Sequence, residues 1–436
     1  MSGFLTTGNR LSARGCVALW TLHGLLIAAG IATAAVQVQN QRSGSVIPPL
    51  RDRPLAVDPQ YNYPVVVTDQ QLRTVLGKLA PRDLGSQTKI NHVDHALRLW
   101  GVEAEFSLSG VLSGEEIREL LTDHRRFAER YGTEMSPLLI DSGNGVRVEV
   151  SRGIGSSSHV DHTVAGLAEV GTPLEFQIYS PHGASSFRAM VEQTLRDFSL
   201  NQAEYEWSAV TFALFVASDA NWVTVEGQRM SFDRIAGRLM RQEMPQGVCF
   251  GKHRLHALVM LLRVDEQEPI LSESSRQAVI GYLQGMTRRL VQTQNAQGFW
   301  NKNWAHALGA AHEESKGDGD QLADRIIATG HALEWWALAP SELHPPRHVL
   351  ASAGQWLART VEEMSAEDVQ SNYTFLTHAG RALALWRGVR PADVQLQTDA
   401  DESRRSTRDA ASAVRASAKR GLQISAKPFR EAQTTE

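Results

Sequence analysis

The sequence predicts an all-α fold, an (α/α)6 toroid of helical hairpins with small β-hairpin insertions. Three observations carry that prediction. Apolar residues recur at three- and four-residue spacing in twelve segments between residues 68 and 387. Every second segment opens with an ionisable residue followed by a small or apolar stretch. Aligned there, His95, His162, Glu206, His253, His331 and His378 stand 67, 44, 47, 78 and 47 residues apart. Three of those steps are one helical hairpin long, the period of stacked units that bury one face against their neighbours. Six hairpins close a ring; an open solenoid of the same spacing is the alternative.

Taken in order, residues 1–36 read as a signal anchor or signal peptide. Arg10 and Arg14 precede an uncharged run of 22 residues, Gly15 to Val36. At about 1.5 Å per residue it is long enough to cross a hydrocarbon core of about 30 Å. Positive charge ahead of the run keeps the N-terminus cytoplasmic and sends the main domain across the membrane. Ala32-Thr33-Ala34 also fits a cleavage site, which would leave a secreted protein. Residues 37–66 are a Pro/Gln-rich linker, 67–395 the toroid domain and 396–436 a disordered tail.

Within the domain the helical segments fall near 68–79, 91–100, 113–131, 159–169, 186–199, 204–218, 231–242, 251–263, 272–294, 321–338, 345–364 and 373–387. Ser113-Gly-Glu-Glu116 is a capping box. Leu138 to Val150, folded about Ser-Gly-Asn-Gly, reads as a β-hairpin, and Trp222 to Phe232 as a second. The first hairpin and a Gly/Asp/Asn-rich loop at 295–320 account for the two long steps. The repeated helices are apolar nearly all round, as helices covered on both sides must be. The intervening ones keep a charged face.

Composition narrows the function classes. Lys and Arg total 44 against 48 acidic residues, and 42% of the chain is hydrophobic. Global disorder is excluded, and nothing is basic enough for nucleic acid to be the main partner. Of the 2 cysteines, Cys16 lies in the apolar run, so Cys249 has no internal disulfide partner.

Leu290-x3-Gln294-x3-Gly298-x-Trp300 resembles the later part of the repeat motif of terpenoid cyclases and protein prenyltransferases. The resemblance implies an α/α toroid in which Gln294 and Trp300 tie helix ends together. The Asp-rich acid motif of the cyclases is missing, since Asp318-Gly-Asp320 is too short. Gly330-His331-Ala-Leu-Glu334-Trp335 is similar to an inner-helix segment of N-acylglucosamine 2-epimerase-type (α/α)6 barrels.

In such a ring the inner helices run the same way and their N-termini converge on one mouth. That mouth collects His92, Asp94, His95, His159, Asp161, His162, Glu204, Glu206, His253, His331 and His378. Imidazole suits proton transfer near neutral pH and carboxylates supply its partner. The expected catalytic residues are therefore His95, His162, Glu206, His253, His331, Glu334 and His378; the alternative is that each caps its own helix. Two sets fit a metal, zinc being the suitable ion: Cys249, His253 and His256 at offsets of 0, 4 and 7, and His159, Asp161 and His162. Trp207, Trp300, Trp304, Trp335 and Trp336 either line a cavity or fill the core. The expected function is a membrane-tethered, extracytoplasmic enzyme using His/carboxylate acid–base chemistry on a carbohydrate or polyprenyl-type, lipid-like substrate. A non-catalytic ligand-binding or scaffold protein is the alternative.

Overall fold

Apolar periodicity translates into helices of two kinds in the computed structural model. It describes residues 20–33 and 47–395, apart from 152, 203, 219, 225, 245–247 and 306–321. One kind is buried all round: α2 (Ile90–Trp100), α5 (His162–Glu169), α7 (Glu206–Phe215), α9 (Lys252–Asp265), α11 (Leu322–Leu338) and α14 (Tyr373–Trp386). Every residue of α7 and of α9 is buried. The other kind buries one stripe: α1 (Asp69–Lys78), α3 (Gly114–Thr122), α4 (His124–Tyr131), α6 (Phe187–Asp197), α8 (Phe232–Arg241), α10 (Glu273–Thr293) and α12 (Arg347–Glu363). In α10 only Val279, Leu283, Thr287 and Leu290 are buried, a seam at four-, four- and three-residue spacing. A short α13 (Ala366–Ser371) leads into α14. The segment expected as one helix over 113–131 breaks at Asp123, whose side chain accepts from the Arg125 N–H and so caps α4. The capping box at Ser113 and Glu116 forms as expected.

The fold is mostly helical, with small strand pairs between helices. β1 (Leu139–Asp141) pairs antiparallel with β2 (Val146–Val148), and β5 (Trp222–Val223) with β6 (Arg229–Met230), at both places expected. β3 (Gln177–Ser180) and β4 (Gly183–Ser186) form a third, unanticipated pair.

The buried helices pack in sequence: α2 on α5, α5 on α7, α7 on α9, α9 on α11, α11 on α14, and α14 back on α2. The closest approach joins α11 and α14. A Cβ at Gly330 would stand 3.1 Å from the Ala379 nitrogen, so the spacing needs glycine there.

From Ile47 onward the expected linker lies against the ends of these helices. Arg51 N–H donates to the Phe215 carbonyl at 2.8 Å, Leu55 N–H to Leu214 at 3.0 Å and Tyr63 N–H to Trp386 at 2.7 Å. The Tyr61 hydroxyl donates to the Ala339 carbonyl at 2.8 Å. These carbonyls lie at or just beyond the C-terminal ends of α7, α11 and α14, where helices run out of internal donors. Among the described residues no helix is long and apolar enough to cross a membrane. Residues 20–33 are helical, with Leu22, Leu25, Leu26, Ile27 and Ile31 exposed. The rest of the expected anchor with Cys16, most of the 295–320 loop with Asp318 and Asp320, and the 396–436 tail lie outside the described residues.

Candidate functional site

Each buried helix sends one aromatic ring to a common level. His95 lies 4.3 Å from His162 between ring centroids, His162 4.6 Å from Trp207, and Trp207 4.9 Å from His253. His253 is then 4.7 Å from His331, His331 3.9 Å from His378, and His378 5.2 Å from His95. The five histidines are 0–3% exposed. The sequence alignment thus brings His95, His162, His253, His331 and His378 together. They are not all at helix starts: His95, His331 and His378 lie inside α2, α11 and α14, which begin at Ile90, at or before Leu322 and at Tyr373.

Glu206 is not in this circuit; Trp207, one residue on, holds the α7 position. The Glu206 carboxylate turns aside, accepting from the Tyr205 N–H and from Arg254 Nε, each at 2.9 Å. His92 also stays apart, beside Tyr373. His159 stands outside the circuit, its ring 5.4 Å from His253, with Nδ1 3.1 Å from Glu204 Oε2.

One helical turn further along lies a charged layer. Its residues follow the histidines at a spacing of three: His95-x2-Arg98, His253-x2-His256, His331-x2-Glu334 and His378-x2-Arg381. Glu169, the last residue of α5, completes it. Arg98 binds Glu169, lies 3.0 Å from Glu334 Oε1 and contacts His256 Nε2 at 3.0 Å. Arg381 reaches both carboxylates. Arg98, Glu169 and Arg381 were not singled out by motif, although the i+3 offset from the aligned histidines points at two of them.

Glu334 joins the layers. Its Oε1 receives the guanidiniums, while Oε2 accepts from His331 Nδ1 at 3.1 Å and His378 Nδ1 at 3.2 Å. The His95 Nδ1–H donates to the Asn91 carbonyl at 2.8 Å. Those acceptors assign the proton to Nδ1 in these three rings and leave Nε2 as a lone-pair donor. The His331 and His253 Nε2 atoms are buried without a hydrogen-bond partner among the described residues. His162 Nδ1 lies 2.9 Å from Asp94 Oδ2 without hydrogen-bond alignment; Asp94 instead accepts from Ser157 and Thr163 hydroxyls.

Burial lowers the pKa of His95, His253 and His378 far below the ordinary imidazole range, with help from neighbouring imidazoles. Burial brings His331 to about 4, the Glu334 carboxylate offsetting part of the shift. These rings are neutral at pH 7. Burial alone would raise Glu334 and Glu169, but Arg98 and Arg381 outweigh it and hold both well below the carboxylate range. The site is therefore a set of neutral imidazole bases resting on two ionised carboxylates and two guanidiniums.

Neither expected metal set forms as written. Gly251, at φ +78°, starts α9, and Cys249, at φ +49°, precedes the helix, so Cys249 shares no stripe with His256. His256 lies instead in the charged layer, 3.4 Å from Glu169 Oε1. Asp161 accepts from the hydroxyls of Thr194 and Ser208, away from His159 and His162. Among the described residues two other groups could hold an ion, since ligand atoms in each lie within 4.8 Å of one another: Cys249, His253 and His331, and His331, Glu334 and His378.

Trp300 and Gln294 are structural ties. Trp300 Nε1 donates to the Leu290 carbonyl at 2.8 Å, and Gln294 Nε2 to the Gly298 and Val349 carbonyls at 2.9 Å, joining the end of α10 to the start of α12. Trp300 and Trp304 also face the ammonium of the fully buried Lys252, whose pKa desolvation pushes well below its ordinary value. No protein-family model, curated protein or solved structure matches the chain.

Proposed function

We propose that the chain is an (α/α)6 toroid with an acid–base centre on its axis, an enzyme acting on a carbohydrate or polyprenyl-type substrate. The cyclic order of helix neighbours supports the toroid. The observation that carries the chemistry is the pair His331 and His378, both held by one ionised carboxylate oxygen of Glu334. A carboxylate at Nδ1 fixes the ring, leaves Nε2 to accept a proton and stabilises the imidazolium that results. Zinc, whose borderline-soft character suits imidazole and thiolate, belongs to this proposal as cofactor. So do tethering by the N-terminal segment and an extracytoplasmic location. The likeness of residues 290–300 to terpenoid cyclases and of 330–335 to sugar epimerases favours these two substrate classes.

The test is a turnover screen of the purified full chain against glycans and polyprenyl compounds. Turnover of one class should fall by roughly 100-fold or more in His378→Gln, the scale of a lost general base, with thermal unfolding unchanged. Equal turnover in the variant would remove His378 from the chemistry. A ligand-binding role is the second reading, favoured by how little of the five imidazoles is exposed. It predicts a ligand bound but not consumed. For the tether, the protein should stay with membranes after carbonate washing, and recovery as a soluble cytoplasmic protein would end that part of the proposal.

A further inference from the structure

We propose that Cys249 Sγ, His253 and His331 form a three-ligand site for a zinc-class divalent ion, with a fourth position left open toward the imidazole circuit. The proposal rests on the reading of this cluster as a functional centre, and specifies which of its residues take the ion and which do not.

Three observations converge on this set. The three ligand atoms lie within 4.8 Å of one another. In a tetrahedral site with bonds of about 2.0–2.3 Å, donors stand roughly 3.5 Å apart, so small side-chain rotations close the set. The His253 and His331 Nε2 atoms, on side chains 98% buried, have no partner among the described residues; an apolar ring would serve the packing equally well without stranding a polar atom. The His331 ring is oriented as a ligand, its far nitrogen donating to Glu334, the carboxylate–histidine pairing usual behind metal-bound imidazole.

The backbone supports the third ligand. Cys249 and Phe250, at φ +49° and +60°, both adopt the left-handed conformation that side chains disfavour, and Gly251 follows at φ +78°. A Cβ on Gly251 would lie 2.6 Å from the Met244 carbonyl oxygen. Such strain persists only where its surroundings enforce it, and it gathers at functional sites. Here it sets Cys249 immediately ahead of α9, with Sγ within reach of the two imidazoles.

The competing set of His331, Glu334 and His378 is already spent. Its Nδ1 and Oε2 atoms hydrogen-bond to one another, and Arg98 and Arg381 occupy the other Glu334 oxygen. An ion there would displace two protons and break the charged layer. With the ion at Cys249, His253 and His331, Glu334 stays behind the ligand and His378 stays free as the base. Three protein ligands and an open position are the pattern of catalytic rather than structural zinc.

The experiment uses the untagged full chain, stripped with chelator and titrated with Co(II) and then Zn(II). One equivalent should bind with a thiolate-to-cobalt charge-transfer absorption, and zinc should displace the cobalt. Cys249→Ala should abolish that absorption, and His253→Gln should weaken affinity by about 100-fold or more. His378→Gln should keep both stoichiometry and spectrum, and Glu334→Gln should lose roughly 10- to 100-fold in affinity. Failure to bind one equivalent, cobalt bound without the sulfur absorption, or loss of binding in His378→Gln would each overturn the assignment. Stoichiometric metal without turnover of any substrate would leave the site standing and sink the acid–base reading instead.

Discussion

Two layers one helical turn apart share the same helices and the same depth, yet satisfy their polar atoms to different degrees. In the lower layer Arg98, Glu169, Glu334 and Arg381 satisfy one another, two positive charges against two negative. In the upper layer His253 and His331 bury Nε2 atoms that find no partner among the described residues, whereas in the lower layer His256 Nδ1 is left so beside an otherwise paired set of charges. Burial makes an unpaired polar atom costly and a half-broken ion network costlier still. The lower layer is thus accounted for by the fold, whereas the upper layer carries a cost that packing alone does not return. On the function proposed above, that cost is carried for the chemistry of the site.

The largest effect should come from breaking the lower layer. Arg98→Met leaves Glu169 with Arg381 alone and takes one guanidinium from Glu334, inside a site where both side chains are at most 5% exposed. Removing one partner of a buried pair costs about 3–5 kcal/mol. Urea denaturation should show that loss, or the variant should fail to accumulate as folded protein. A change below about 1 kcal/mol would mean that water already reaches this layer and that the two layers do not differ as described.

Asp161 offers a carboxylate of a third kind, half-buried, bonded to two hydroxyls and, among the described residues, to no cation. Burial raises it to about 6, the Ser208 and Thr194 hydroxyls offsetting part of the shift and Asp197 adding to it. The folded state therefore holds the proton more tightly than the unfolded chain, whose aspartates titrate near 4. Its contribution is fully present below about pH 4 and is lost as pH rises through about 6. The loss should be about 2 kcal/mol, allowing for the partial exposure of the residue. Asp161→Asn keeps a side chain that accepts a hydrogen bond and tolerates the left-handed backbone at φ +58°. It should flatten the wild-type decline in stability between pH 4 and 6. A decline of the same slope in the variant would assign it to other groups.

What was legible in the sequence follows from what each signal physically reports. Period-3.6 burial placed the long helices because burial is what it measures. The strand pairs at 139–148 and 222–230 showed as apolar runs about glycine turns, whereas β4 is Gly183-Ala-Ser-Ser186, with no β-branched or aromatic residue to mark a strand. Five imidazoles were found by aligning helix starts, since equivalent positions in stacked hairpins face the same axis. Glu206 missed by one because the ring at that level comes from Trp207, and residue type could not tell an inward tryptophan from a core one. The Cys249 stripe failed because it assumed helical geometry through a glycine with positive φ. The charged layer was readable at i+3 from the aligned histidines, but arginine inside an apolar helix reads as surface until the helices are assembled.

The smallest effect gives the sharpest form of the comparison, because it sets two histidines of one helix against each other. His253 and His256 are both 2% exposed and three residues apart on α9. His256 Nε2 contacts the Arg98 guanidinium and lies near the Glu169 carboxylate, so His256→Leu leaves charged partners short of a contact. A cost of about 1–3 kcal/mol follows for such an orphaned buried group. His253 Nε2 has no hydrogen bond to lose among the described residues. His253→Leu exchanges an imidazole for an apolar side chain of similar volume and removes a stranded polar atom, so metal-free stability should change by less than about 1 kcal/mol. Both variants are measured by chemical denaturation with chelator present, which takes any bound ion out of the comparison. Equal costs would place His253 in the same structural role as His256 and would return the whole imidazole circuit to the core. A difference in the stated direction separates, on a single helix, the histidine that holds the fold from the histidine that the fold holds.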